Sequence, residues 1–230
     1  MNYLIVGGNS TIGKVLIHSL VQQGHTCYVI SRSDVTPSNS SVKSLKINIL
    51  EEEIPEDYLP DVLAGLVYLP GTINLKPFRA LSADAFREAY EINFIGSVKS
   101  IQAAEKSLKN SENASIVLFS TVAVKTGMPF HAAVASAKGA VEGLSRSLAA
   151  EFAPKVRVNT IALSLTDTQI ANRLLNSESK VKAMEERHPL KQIGDPNDIS
   201  ALVEFLLSKN AKWITGEIIR ADGGIGTLKV

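Results

Sequence analysis

The chain alternates between short, nearly unbroken apolar runs and longer segments whose apolar residues recur every three or four positions. The β-rich runs fall at Tyr3 to Val6, Thr26 to Ser31, Leu45 to Ile49, Leu66 to Leu69, Ser115 to Ser120, Arg157 to Ala162 and Glu217 to Arg220. Most of the segments between them carry the helical period. Runs such as Leu4-Ile5-Val6 and Ile116-Val117-Leu118-Phe119 have no polar face, as a strand covered on both sides requires. With right-handed crossovers, the pattern predicts an α/β chain built on one doubly wound, seven-stranded parallel sheet with helices on both faces. Two stretches interrupt it. Ser33 to Ser44, rich in Ser with Pro and Asn, reads as a loop. Glu51 to Pro60 is acidic and carries two prolines, so the crossover helix expected there should shrink to a turn.

At 45% hydrophobic residues, a chain of 230 residues supplies enough apolar surface for one such core, and residues 1–230 read as a single domain. Lysine and arginine total 24 against 23 acidic residues, so no net field favours nucleic acid or an anionic membrane. No apolar run reaches membrane-spanning length and no basic leader precedes the first strand, which makes the cytoplasm the expected location. The single cysteine, Cys27, lies in an apolar stretch, excludes an internal disulfide and reads as packing. His18, His25, His131 and His188 show no ligand spacing, so no metal is expected.

After the first strand comes Gly7-Gly8-Asn9-Ser10-Thr11-Ile12-Gly13, then a helix expected from Lys14 to about Gln23 and ended by Gly24. A strand, a glycine-rich turn and a helix in that order form the anion cradle of a Rossmann fold: glycine lets the backbone approach a pyrophosphate, and the helix offers free N–H groups. A tight strand-to-helix connection would look the same. The second strand ends Ser31-Arg32-Ser33, without the carboxylate that grips a ribose 2′-hydroxyl. Arg32 can pair with a 2′-phosphate, which points to NADP(H) over NAD(H); the plain alternative is a solvated surface arginine.

These residues resemble the short-chain dehydrogenase/reductase family along nearly the whole chain, closest to its 3-oxoacyl-acyl-carrier-protein reductase type. The family's Thr-Gly-x-x-x-Gly-x-Gly is matched by Val6 to Gly13, with Val6 and Thr11 in place of the threonine and the middle glycine. Asn48 stands at the family's acidic residue near the adenine, and Tyr68-Leu69-Pro70-Gly71 stands at its Asn-Asn-Ala-Gly. Asn93, in Glu91-Ile92-Asn93-Phe94, matches the asparagine that kinks a helix and holds a relay water. After the sixth strand Asn159 and Thr168 match, while Leu163 and Ser164 replace a Pro-Gly pair, and Trp213 to Gly224 matches the family's C-terminal motif. The resemblance implies an NADP(H) site made by Gly7, Asn9, Ser10, Thr11, Ile12, Gly13, Arg32, Asn48, Gly71, Lys138, Leu165 and Thr168.

It also implies where chemistry should occur. The family's Tyr-x-x-x-Lys pair shares one helix face, and the ammonium lowers the phenol's pKa. Here Lys138 holds the lysine position and Val134 the tyrosine position, and an isopropyl group has no proton to exchange. Thirteen residues upstream, Thr121 stands for the serine that polarises the carbonyl. The expected catalytic set is therefore Thr121, Lys138 and Asn93, with His131, one turn before Val134, as substitute acid, and Tyr68 and Ser136 as weaker ones. Met128, Pro129 and Phe130 either shape an apolar substrate pocket or simply pack a loop. The small-residue helix Ala132 to Phe152 implies a homodimer or homotetramer. The expected activity is oxidation or reduction of a carbonyl/alcohol pair in a small molecule or acyl thioester. The alternatives are a cofactor-binding regulatory module without redox chemistry and a silent subunit that assembles with an active relative.

Overall fold

The fold is built on seven strands: β1 (Asn2–Val6), β2 (Thr26–Ser31), β3 (Val42–Lys46), β4 (Gly65–Tyr68), β5 (Ala114–Thr121), β6 (Val156–Leu163) and β7 (Ile218–Ala221). They form one sheet in the order β3-β2-β1-β4-β5-β6-β7, every pair parallel. The computed structural model describes residues 1–35 and 39–229. The helices are α1 (Thr11–Gln22), α2 (Ala83–Tyr90), α3 (Gly96–Lys109), α4 (Ala123–Thr126), α5 (Ala132–Phe152), α6 (Glu178–Glu186) and α7 (Pro196–Leu207).

Alternate residues of each strand feed opposite cores. Leu4, Ile30, Leu66, Ile116 and Val158 pack with α3 and α5 on one side. Ile5, Val29, Val67, Val117 and Ile161 pack with α1 and α7 on the other. Burial on both faces explains the unbroken apolar runs, since a polar residue at either phase of the strand would be stranded in a core. Cys27 is fully buried in the second core, as packing. Strand order reverses between β1 and β4, whose ends pair as Val6 with Tyr68. That reversal opens a crevice at the carboxyl ends, because successive connections leave in opposite directions.

Two expectations need correction. The third strand is Val42–Lys46, not Leu45 to Ile49. As an edge strand it has one paired neighbour and exposes Lys43, Ser44 and Lys46, so it carries little of the apolar signal. The apolar Ile47 and Ile49 are buried in the turn beyond it, where core burial mimicked a strand pattern. Part of the expected loop, Val42 to Ser44, is therefore strand, and its residues 36–38 lie outside the described residues. The first helix starts at Thr11 rather than Lys14, because Ser10 caps it by accepting from the Gly13 N–H at 3.1 Å. The acidic stretch Glu51 to Pro60 forms turns without a helix, as its prolines require.

Two close approaches fix the site's frame. The phenol of buried Tyr68 donates to the carbonyl of Ile92 at 2.7 Å, inside a π-helical turn, Glu91–Ile95, that joins α2 to α3. A Cβ on Gly96 would fall on that phenol oxygen. Gly8 sits equally tightly under α1: a Cβ there would come within 2.8 Å of Ile17 Cδ1 and closer still to Val29 Cγ1. Gly8→Ala should therefore cost about 1–3 kcal/mol through overpacking. Adding Val29→Ala should recover part of that loss, a non-additivity read from urea unfolding of the two single variants and the double.

Candidate active site

A cavity of about 300 Å³ opens at the carboxyl edge of the sheet over β1, β4, β5 and β6. It brings together Ser10, Thr11, Ile12, Gly71, Asn93, Thr121, His131, Lys138, Leu165 and Thr168. Asn9 lines a second hollow of about 640 Å³ beside α1, together with Lys14, His18, Ser33 and Asp34. Gly7 lies in the turn beneath and Gly13 in the first turn of α1. Gly7 has a φ of 81°, and a Cβ on it would lie 2.9 Å from the Pro70 ring. Arg32 and Asn48 line neither hollow. Arg32 is exposed, and Asn48 starts a turn, its Oδ1 accepting from the Leu50 N–H at 3.3 Å.

Lys138 is the centre of the cavity's electrostatics. It projects from α5 one turn after Val134, is only 8% exposed, and makes no hydrogen bond or ion pair among the described residues. Burial of the ammonium, with no carboxylate to offset it, pulls its pKa down to about 8. Close by is a second unpaired atom. Asn93 is fully buried in the π-helical turn, its Nδ2 donates to the Ala89 carbonyl at 2.8 Å, and its Oδ1 has no partner among the described residues. A Cβ on Gly71 would stand 3.2 Å from that Oδ1 and 3.7 Å from Lys138 Nζ, so glycine keeps the space over both polar atoms open.

Thr121 ends β5, and its Oγ1 accepts from the Ala123 N–H at 3.3 Å, which leaves its own hydroxyl proton free. His131 immediately precedes α5, without a side-chain capping bond among the described residues. Its Nδ1 donates to the Pro129 carbonyl at 2.7 Å, which leaves Nε2 able to accept or carry a proton. The weaker candidates are occupied: the Tyr68 phenol is hydrogen-bonded and its pKa is raised by burial, and the Ser136 hydroxyl donates to the Ala133 carbonyl at 2.9 Å. Met128 lines the cavity, whereas Phe130 is exposed with a positive φ of 69°.

Four residues were not foreseen at the site from sequence. Ser164 donates to Nε2 of buried His188 at 2.8 Å, the tautomer being fixed by Nδ1 donating to the Met184 carbonyl at 2.8 Å. Both residues line the cavity, as does the exposed Arg187. No spacing rule joins Ser164 to His188, because they meet only after two loops fold together. Asp34, beyond Arg32, is the carboxylate of the second hollow, but it is paired with Lys46 at 2.8 Å, and that hydrogen bond lowers its pKa.

The residues fit a dinucleotide. A glycine-rich turn meets a helix start at the crevice, and the cavity beyond holds an ammonium and an amide oxygen that have no partner among the described residues. The departure is Thr11, whose hydroxyl accepts from the Gln169 N–H at 3.3 Å and ties the turn to the loop after β6.

This is the architecture of a nucleotide-binding α/β protein with its ligand site at a topological switch point. A family model described as enoyl-(acyl carrier protein) reductase matches residues 10–226. A tropinone reductase homolog of Arabidopsis thaliana is 30% identical over 98% of this chain and 92% of its own length. Another, from Datura stramonium, is 30% identical over 97% of this chain and 91% of its own. A short chain dehydrogenase family protein from Francisella tularensis superposes with a TM-score of 0.87 at 26% identity, covering 99% of both chains. ElxO with NADP bound shares the fold at a TM-score of 0.88 and 21% identity, again over 99% of both chains. The chain belongs to the short-chain dehydrogenase/reductase family, whose oxidoreductases bind nicotinamide dinucleotides.

Among the described residues no helix is long and apolar enough to cross a membrane, and no three His, Cys, Asp or Glu side chains are grouped to hold a metal. The electrostatics of Lys138 can be tested directly. Its folded-state pKa lies below the ordinary value of 10.5, so between about pH 8 and 10.5 the unfolded chain binds more protons and stability rises with pH. Below about pH 8 both states carry the charge and the full burial penalty remains. Lys138→Met should therefore stabilise the ligand-free protein by roughly 3 kcal/mol at neutral pH. The gain should shrink as pH climbs through that window, as followed by denaturant unfolding.

Proposed function

We propose that the chain is an NADP(H)-dependent oxidoreductase that interconverts a carbonyl and an alcohol. The observation that carries this reading is a buried ammonium without a counter-charge among the described residues, Lys138, in one cavity with Thr121 and Asn93. An unpaired buried cation is costly unless a ligand completes it, and a ribose or its linked phosphates would do so. Ser10, Thr11 and Ile12 would hold the pyrophosphate at the start of α1, Gly71 and Lys138 the nicotinamide ribose, and Leu165 and Thr168 the carboxamide end. A bound nicotinamide supplies two-electron redox chemistry that the side chains lack.

The chain's own groups orient the substrate and move its proton. The Thr121 hydroxyl would donate to the reacting oxygen, and the Asn93 amide would hold a relay water. Val134 offers only methyl groups where the family resemblance places a phenol, so the proton must pass through another group. His131 lines the cavity with Nε2 unengaged among the described residues. Preference for NADP(H) rests on Arg32, exposed and outside any ion pair among the described residues, while Lys46 engages the neighbouring Asp34. Self-association as a homodimer or homotetramer belongs to the same reading: Gly143 on α5 has open space over it.

Titration of nicotinamide fluorescence should show NADPH binding at least about tenfold tighter than NADH, a difference that Arg32→Ala erases. NADPH consumption with a panel of ketones and 3-oxoacyl thioesters should disappear in Lys138→Ala. Val134→Tyr should raise the rate, since it restores a phenol one turn from the ammonium. Tight binding with no turnover across the panel would instead favour a non-catalytic, cofactor-holding subunit.

A further inference from the structure

The cavity's wall is uneven in charge as well as polarity. Its outer part is apolar, with Ile73, Met128, Ile170, Leu174 and Met184, and Ile73 and Ile170 are each 45% exposed. Two large aliphatic side chains open to water beside a cavity are surface whose burial by a ligand's hydrocarbon is favourable. The thioethers of Met128 and Met184 can adapt to irregular hydrocarbon. Among the described residues no Asp or Glu lines the cavity, while the cations Lys138 and Arg187 both do.

Arg187 follows α6 and is exposed. Its Nη1 donates to Met184 Sδ at 3.5 Å, and the guanidinium makes no ion pair among the described residues. Its neighbour Glu186 is engaged by Lys191 at 3.3 Å. A protonated amine would meet two cations and no carboxylate. A neutral ketone would cover the isoleucines and leave the guanidinium without a partner. A molecule with an apolar body and an oxyanion satisfies both parts of the wall, and a planar guanidinium takes a carboxylate or phosphate through two parallel bonds.

We propose that the substrate is an amphipathic anion: a carbonyl compound whose hydrocarbon body lies against Ile73, Ile170 and the two methionines, and whose oxyanion is bound by Arg187. This rests on the oxidoreductase reading above, in which Lys138 is committed to the cofactor, so Arg187 is the cation left for the substrate. It selects substrate by charge and takes no part in proton movement.

The test compares three straight-chain methyl ketones of matched length, ending in a carboxylate, a phosphate monoester or the methyl ester of that carboxylate, with NADPH saturating. At least one anion should be reduced with kcat/KM about ten- to a hundredfold above the ester, carried by KM. Whichever anion is preferred identifies the oxyanion. In Arg187→Gln that ratio should fall to about one, and Arg187→Lys should restore part of it. The substituted side chain is exposed, so the fold should tolerate both changes. Equal efficiency for all three ketones, or a ratio that survives Arg187→Gln, would overturn the proposal and leave the oxidoreductase reading standing. Bound NADPH with no turnover of any ketone would overturn both.

Discussion

The pairing of β5 with β6 governs where chemistry can occur. It runs from Ala114 against Val156 to Thr121 against Leu163, so both strands end at the same level. The two segments that continue from these strands must leave the sheet side by side: the turn through Val122 into α4 and α5, and the loop from Ser164 to Thr168. Thr121, Lys138 and Ser164 share a cavity for that reason, although the sequence separates them widely. The alternating burial of Ile116, Val117, Leu118 and Phe119 between two cores locks the register, because a slip by one residue would exchange the cores.

On that frame stands a site built with its bonds incomplete. Asn93 Oδ1 is held out of water and Lys138 is only 8% exposed, both atoms lack partners among the described residues, and Gly71 keeps the volume over them clear. An unpaired buried polar atom costs about 1–3 kcal/mol, so such groups persist where a ligand completes them. The π-helical turn adds to this, since its widened hydrogen-bond spacing is what accommodates Asn93 between α2 and α3.

Much of the fold was legible in the sequence because burial on both faces writes an unambiguous pattern. β1, β2 and β5 lie where their apolar runs stand, and α5 spans the small-residue segment read as one helix. The edge strand β3 was displaced in the reading because a strand covered on fewer sides needs fewer apolar residues, while the buried turn at Ile47 and Ile49 needs more. At the site, residues inside contiguous motifs, such as Ser10 to Ile12 and Lys138, were named from the family resemblance, and all four line the cavity. Ser164, His188 and Arg187 were missed because their meaning arises from loops that fold against each other, and loops have no period.

The Tyr68 phenol, hydrogen-bonded to Ile92 and resting where any Cβ of residue 96 would have to be, links two distant positions into one heritable unit. Among descendants of this chain, a larger residue at 96 can persist only where the aromatic ring at 68 has already shrunk or gone. The two columns should therefore drift together, and the order of their changes in a lineage is constrained: the ring must yield first.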